Sequence, residues 1–350
     1  MQRILERVRA AGANPVHEKR LVRAWMTGRA LTEPMSRTDQ PFPRRLVDEL
    51  PAISAELDAL TSSRSEHPGE DGSVRFLLSL ADGQTVESVL LLRDGVCISS
   101  QVGCAVGCVF CMTGRSGLLR QLRSAEIVAQ VVHARRHRRR EFEAGRAANA
   151  VLRRVVFMGM GEPSHNLAAV MEAIEFLGTH GEFGHKDLVF STVGDRRAFE
   201  RLREGRVKPA LAVSLHTTDS VLREQLVPRG PRFDPAELIA LADDYARAVG
   251  HPVQYQWTLI EGVNDSDAEL HRLCELMQGR YGIVNFIPYN TIEGLDWKRP
   301  SIDRARAMSQ YLHQHGVLCK LRRSAGQDVD GACGQLRARD PVTGRGVTGR

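Results

Sequence analysis

From residue 85 onward, short apolar runs alternate with amphipathic helical patterns, and this alternation constrains the fold more than anything else in the sequence. "VESVLLL" precedes "SAEIVAQVVHARR", "RRVVFMGM" precedes "NLAAVMEAIEFLG", "DLVFSTV" precedes "DRRAFERLREG", and "ALAVSL" precedes "DSVLREQL". "VQYQWTLI" and "IVNFIPY" follow, each with its own helical pattern, and the series closes on "VLCKLRR". A short, wholly apolar run suits a parallel strand buried on both faces, and parallel neighbours must be joined by a crossover, here a helix. The reading is an α/β fold with a partial (β/α)6 barrel, a doubly wound open sheet being the alternative.

The flanks read differently. Residues 1–75 suggest a small helical accessory domain, with helices at "ILERVRAAG", "EKRLVRAWMTG", "RRLVDEL" and "AISAELDAL". The barrel is assigned to 76–336, and the Gly- and Arg-rich stretch 337–350 is expected to be disordered. No apolar run is long enough to span a membrane and no secretory signal is evident, so a cytoplasmic protein is expected. The formal charge is +6, and residues 133–154 hold eight arginines against two glutamates. That run predicts a contact with a polyanion, a solvated helix end being the other reading.

In a barrel of this kind, reactive groups project from loops at the C-terminal ends of the strands. "GMGEPSHN", "STVGD", "SLHTTD", "EGVND" and "PYNTIEG" all fall there, which predicts a ligand site on that face. The stretch "CISSQVGCAVGCVFC" adds four of the seven cysteines within fifteen positions. In a reducing compartment such clustering points to metal binding or catalysis before disulfides. Cys104, Cys108 and Cys111 form C-x3-C-x2-C. Structural zinc prefers four closed ligands, whereas three thiolates on an iron–sulfur cube would leave one iron open to a non-protein ligand. Chance clustering of packing cysteines is the bland alternative.

With Phe110 before the last cysteine, this loop resembles that of the radical S-adenosylmethionine (SAM) enzymes. The blocks "CISSQVGCAVGCVFC", "VFMGMGEPSHN", "LAVSLHTTD", "LVPRG", "GVND", "NFIPYN" and "DVDGACGQL" are similar to those of the RNA adenine methyltransferases of the RlmN and Cfr type, in the same order from Glu87 to Leu336. "MTGR" after Cys111 and "STVGD" depart from the family's usual residues.

The resemblance implies a [4Fe-4S] cluster on Cys104, Cys108 and Cys111 and two SAM molecules per turnover. It implies Gly161, Glu162, Ser191, Ser214, Leu215, His216 and Asn290 around SAM. Cys333 would be the methylcysteine intermediate and Cys97 its disulfide partner, and Glu87 would be the proton acceptor. On an alternating strand, Glu87 could equally be a solvent-facing glutamate. The implied substrate is an adenine, at C2 or C8, in ribosomal RNA, with or without transfer RNA. The implied partner is a reducing protein such as flavodoxin or ferredoxin, the enzyme acting as a monomer. Two other readings stay open: a radical SAM enzyme on a different substrate, and a catalytically inactive RNA-binding iron–sulfur protein. Cys274 and Cys319 match no functional position and read as packing residues.

Overall fold

The computed structural model describes residues 1–338, so the disorder expected over 337–350 concerns mostly residues outside the described ones. Three helices come first: α1 (Gln2–Ala10), α2 (Pro15–Met26) and α3 (Arg44–Asp58). Asn14 starts α2 by accepting the N–H groups of Val16 and His17, each at 3.0 Å, with Pro15 in the first turn. The two helices read from "RRLVDEL" and "AISAELDAL" are one continuous helix, α3, with Pro51 inside it. Leu46, Leu50, Ile53 and Leu57 form one buried stripe through that proline. Burying such side chains contributes about 1.5–3 kcal/mol each, enough to outweigh the roughly 3 kcal/mol an internal proline costs.

The helical part ends at Asp58, and β1 (Thr61–Pro68), β2 (Val74–Leu80) and β3 (Thr85–Leu91) follow as an antiparallel meander. "VESVLLL" is therefore an antiparallel strand, and the first parallel strand is the three-residue β4 (Gly95–Cys97) beyond a turn at Arg93 and Asp94. A strand so short carries no readable periodicity. A small hairpin of β5 (Gln101–Gly103) and β6 (Leu118–Gln121) leads into α4 (Ser124–Glu143) and β7 (Arg154–Phe157). The chain then runs α5 (Leu167–Thr179), β8 (Leu188–Thr192), α6 (Arg196–Glu204), β9 (Ala210–Ser214), α7 (Ser220–Leu226) and α8 (Pro235–Val249). It finishes with β10 (Val253–Leu259), α9 (Asp267–Met277), β11 (Gly282–Pro288), α10 (Ile302–Gln314) and β12 (Cys319–Leu321).

All main strands belong to one sheet in the order β1-β2-β3-β4-β7-β8-β9-β10-β11-β12. From β4 to β12 every pairing is parallel, with Val156 opposite Val189, Phe190 opposite Leu211 and Trp257 opposite Phe286. β1 and β12 are the edges, so the barrel is partial, as the alternation predicted. One apolar core runs from Ile4 through the sheet to Ala338, uniting the helical segment with the barrel, and Cys274 and Cys319 are packed within it.

Much of the arginine-rich run is engaged within the fold. Arg136 pairs with Asp58 at 2.5 Å, Arg138 with Asp94, and Arg140 with Glu66 at 3.2 Å. Arg135 donates to the carbonyls of Met26 (2.6 Å) and Gly181 and lies over the Phe183 ring, while Arg139 reaches the Gly28 carbonyl at 3.4 Å. Arg146 pairs with Glu141, Arg153 with Asp94 and Arg154 with Asp187. The run fastens the N-terminal helices and the meander to α4, while the Arg140, Arg146, Arg153 and Arg154 side chains stay more than half exposed, so the polyanion contact expected of the run falls to these four. Composition gave the charge; only the fold supplies the carbonyls and carboxylates that engage it.

Candidate functional site

The loops that follow β4, β7, β8, β9 and β11 meet at the C-terminal end of the parallel strands. With Gln256 and Thr258 of β10 they line an open cavity of about 950 Å³, its mouth to solvent included. Cys104, Cys108 and Cys111 all border it. Their loop is fastened on one side to the end of α7, where Val109 N donates to Leu226 O (3.1 Å) and Arg229 N to Val106 O (3.2 Å). On the other side it is fastened to the segment after β12: Met112 N donates to Gly334 O (2.7 Å) and the Thr113 hydroxyl to Leu336 O (2.6 Å). Gly334, at φ +87°, allows this contact, since a Cβ there would sit 2.7 Å from Phe110 O.

Burial pushes the Cys104 thiol up to about 11 and the Cys108 thiol well above its ordinary value, with neighbouring thiols adding to both. Thiols held protonated in this way bind metal with release of their protons. Among the described residues no three donor side chains converge on a single-ion site. Three soft donors along one cavity wall suit a polynuclear iron–sulfur group, in which each thiolate takes a different iron.

Opposite the thiols stands the Gly161–Glu162 turn. Gly161 adopts φ +100°, and a Cβ there would lie 2.6 Å from Gln101 Cβ, so only glycine fits. Gln101 Oε1 accepts the Glu162 N–H at 2.8 Å. The Glu162 carboxylate is buried and accepts from Ser164 N (3.0 Å) and Val193 N (3.1 Å). Burial raises its pKa although these hydrogen bonds oppose the rise. A carboxylate so placed can receive an ammonium group.

Ser191, Ser214, His216 and Asn290 line the same cavity, whereas Leu215 lies fully buried behind it, its N–H spent on Gln256 O at 3.0 Å. His216 adopts φ +66° and its Nδ1 accepts the Thr258 N–H at 3.0 Å, so Nε2 carries the proton of the neutral ring. Burial first, and Arg223 second, bring its pKa down to about 3. Asn290 Oδ1 is buried without a partner, an acceptor available to an ammonium or hydroxyl donor in the cavity.

Cys333, on the segment after β12, borders this cavity, while Cys97 at the end of β4 is buried just beneath. Both are free thiols, Cys97 on a buried residue and Cys333 on an exposed one, and the Cys97 thiol is pushed up by burial and, second, by its neighbour Cys333. Glu87 does not line the cavity. It is fully buried rather than solvent-facing, two residues from Val89, which pairs with Cys97, and so on the same sheet face. Its carboxylate pairs with Arg75 and accepts the N–H groups of Arg337 (2.7 Å) and Ala338 (2.8 Å). Burial raises its pKa against these partners.

Three placements depart from the sequence reading. The "EGVND" loop acts as a brace: Asn264 Nδ2 donates to His216 O and Thr258 O, each at 2.7 Å, and its Oδ1 accepts from Ile260 N. Gln256 and Thr258 of β10 line the cavity and were not anticipated. The signal was present, because polar residues at every second position of "VQYQWTL" put one polar face toward the barrel interior. Arg223, buried beside the thiol loop, also escaped notice.

Comparisons with known proteins agree with this geometry. The family model described as the radical SAM superfamily matches residues 98–274. The chain is 61% identical to a protein of Aromatoleum aromaticum named "Probable RNA methyltransferase", over 97% of this chain and 93% of that one. It is 59% identical to a protein of the same name from Leptothrix cholodnii, over 96% and 94% of the two chains. A crystal structure of a radical SAM methyltransferase from Sphaerobacter thermophilus matches it with a TM-score of 0.81 at 35% identity, covering 95% of this chain and 96% of that one.

Proposed function

Since the chain belongs to the radical SAM superfamily, we propose that it is an RNA methyltransferase that places a SAM-derived carbon on C2 or C8 of an adenine. Ribosomal RNA is the principal substrate, with transfer RNA a second. The family uses SAM and an iron–sulfur cluster, and the donors around the cavity suit both. Together these groups supply a 5′-deoxyadenosyl radical that removes hydrogen from an unactivated carbon.

This chain's residues divide the remaining work. Cys104, Cys108 and Cys111 would hold a [4Fe-4S] cluster. Glu162 would receive the SAM ammonium, and Ser191, Ser214, His216 and Asn290 would meet its polar atoms. The Leu215 backbone would fix the turn that carries His216. Cys333 Sγ would lose its proton and accept a methyl group from one SAM, and a second SAM would activate that methyl group. Cys97 Sγ would lose its proton and attack Cys333 Sγ; the Cys333 S–C bond would break with its electron pair staying on the carbon, which takes up a proton to become the methyl group on the RNA, and an external thiol would later reduce the disulfide. Glu87 would take the proton from the adduct carbon, which requires its carboxylate to release the Arg337 and Ala338 amides. A small electron-transfer protein such as flavodoxin or ferredoxin would supply the electrons to a monomeric enzyme.

The observation that carries this reading is that Cys333 borders the cavity shared by the three-thiol loop, Glu162 and Asn290, with Cys97 beneath it. An enzyme with a simpler use of the radical would not need two further thiols there. Mass spectrometry of the purified protein is expected to find a methyl group on Cys333. Nucleoside analysis of RNA from cells with and without the protein is expected to find a methyladenosine dependent on it. Cys97→Ala is expected to trap RNA covalently on Cys333. An unmethylated Cys333 in protein reconstituted with cluster and SAM would overturn the reading.

A further inference from the structure

The Arg223 guanidinium is 3% exposed, yet among the described residues it has no carboxylate partner. Its Nη2 donates to Val193 O and Ser214 O, the latter at 3.3 Å, and its Nη1 to Pro231 O at 3.3 Å; its Nε has no partner. Arg75, comparably enclosed, has Glu87 for its charge. Carbonyl dipoles satisfy N–H groups but do not neutralise a buried positive charge, which is costly when left uncompensated.

The missing negative charge has an evident source. Arg223 lies on α7, whose C-terminal end is hydrogen-bonded to the thiol loop at Val109 and Val106. Val193 and Ser214, whose carbonyls it holds, both line the cavity. Leu226, three residues along α7 from Arg223, accepts the N–H of Val109, the residue after Cys108, and the Cys108 sulfur offsets part of the effect of burial on Arg223. The other groups nearby do not pair with it: His216 is neutral, and the Glu162 carboxylate is engaged by Ser164 N and Val193 N rather than by Arg223. Three thiolates on an iron–sulfur group make that group anionic, more so after it takes up an electron.

We propose that Arg223 is the built-in counter-charge of the iron–sulfur cluster, a positioning residue that favours the reduced state through its fixed positive charge beside the Cys108 side of the loop. This rests on the assignment of Cys104, Cys108 and Cys111 as cluster ligands. A positive charge held in a low-dielectric wall stabilises the more negative redox state, and cluster potentials are set by local charge, hydrogen bonding and solvent access.

The test is a redox titration of the anaerobically reconstituted full-length protein. Dithionite supplies the single electron, and the reduced cluster is read by electron paramagnetic resonance. Arg223→Met is expected to bind the cluster but to be at least tenfold harder to reduce, a midpoint about 59 mV more negative for a one-electron couple. Arg223→Lys, which keeps the charge, is expected to stay within about threefold of wild type. If Arg223→Met gives no cluster-bearing protein, Arg223→Gln takes its place under the same criterion. A wild-type midpoint in a cluster-bearing neutral variant, or loss of the cluster from all three variants, would overturn the counter-charge role and leave the ligand assignment standing. Failure of the wild-type protein to take up a cluster would instead overturn the ligand assignment itself, and this inference with it.

Discussion

Asn290 holds the backbone of Cys333: its side-chain Nδ2 donates to the Cys333 carbonyl at 3.1 Å. The same nitrogen donates to Ser324 Oγ at 2.9 Å, which holds the serine beside Cys333. Cys333 is exposed as a residue but its side chain borders the cavity, where desolvation pushes the thiol up and the Ser324 hydroxyl works against the rise. A single hydrogen bond of this kind is worth about 1 kcal/mol, or roughly fivefold in rate. Ser324→Ala is therefore expected to slow methyl uptake at Cys333 about fivefold, followed by intact-protein mass spectrometry against time after SAM addition, and Ser324→Thr to restore it. An unaltered time course in Ser324→Ala would remove Ser324 from this role.

Glu87 and Arg75 form a buried pair that also fastens residues 337 and 338. Removing one member leaves a buried charge unpaired, at a cost of about 3–5 kcal/mol, whereas replacing both with apolar residues is far less damaging. Glu87→Leu is expected to lose stability on that scale in chemical denaturation, and Arg75→Met with Glu87→Leu to recover most of it. Hydrogen exchange at the Arg337 and Ala338 amides is expected to accelerate in both variants. Equal losses in the single and double variants would show that the pairing is not what stabilises this corner.

Arg135 ties α2 to the loop after α5 through the carbonyls of Met26 and Gly181, and burial brings its guanidinium down to about 10. Arg135→Met keeps the stem over Phe183 but removes the donors. It is expected to cost about 2 kcal/mol and to speed proteolytic cleavage between α2 and α3. Cleavage at the wild-type rate would show that the other arginines of α4 suffice.

His133 gives the fold a pH dependence. Its ring meets the Phe76 edge at 4.9 Å, with Glu66, His137, Arg136 and Arg140 around it, and burial brings its pKa down to about 4. An unfolded imidazole takes up its proton near pH 6.5, whereas the folded one does so only near 4, so the unfolded state binds more protons between these values. Stability must then fall as pH drops through this window, by about 3 kcal/mol at roughly 1.4 kcal/mol per pH unit. His133→Gln is expected to flatten urea-denaturation stability against pH by about one proton over that range, and an unchanged slope would rule His133 out.

The parallel part of the fold was legible because burial on both faces leaves an uninterrupted apolar run, which β7 through β12 display. β4 was not legible, since three residues carry no period, and its partner β3 looked like the first member of the series. Ligand spacing exposed the three-thiol loop, and the family resemblance the Glu162 corner. Charge pairing stayed hidden, because it depends on residues far apart in the chain. Glu87 looked like a surface glutamate until Arg75 and the 337–338 amides closed around it. The basic run on α4 showed its charge but not that Asp58, Glu66 and Asp94 engage part of it. Arg223 carried no motif of its own, and only the absence of a nearby carboxylate marks it out.

The wall made by Cys333, Gly334 and Leu336 comes from the last part of the described chain, while the thiol loop it covers lies far earlier, with Thr113 and Leu336 separated by 223 positions. Synthesis runs in the opposite sense to this closure. The thiol loop is made long before the segment that covers it, so a chain folded only through β12 would present Cys104, Cys108 and Cys111 on a cavity that lacks its Cys333 and Gly334 wall.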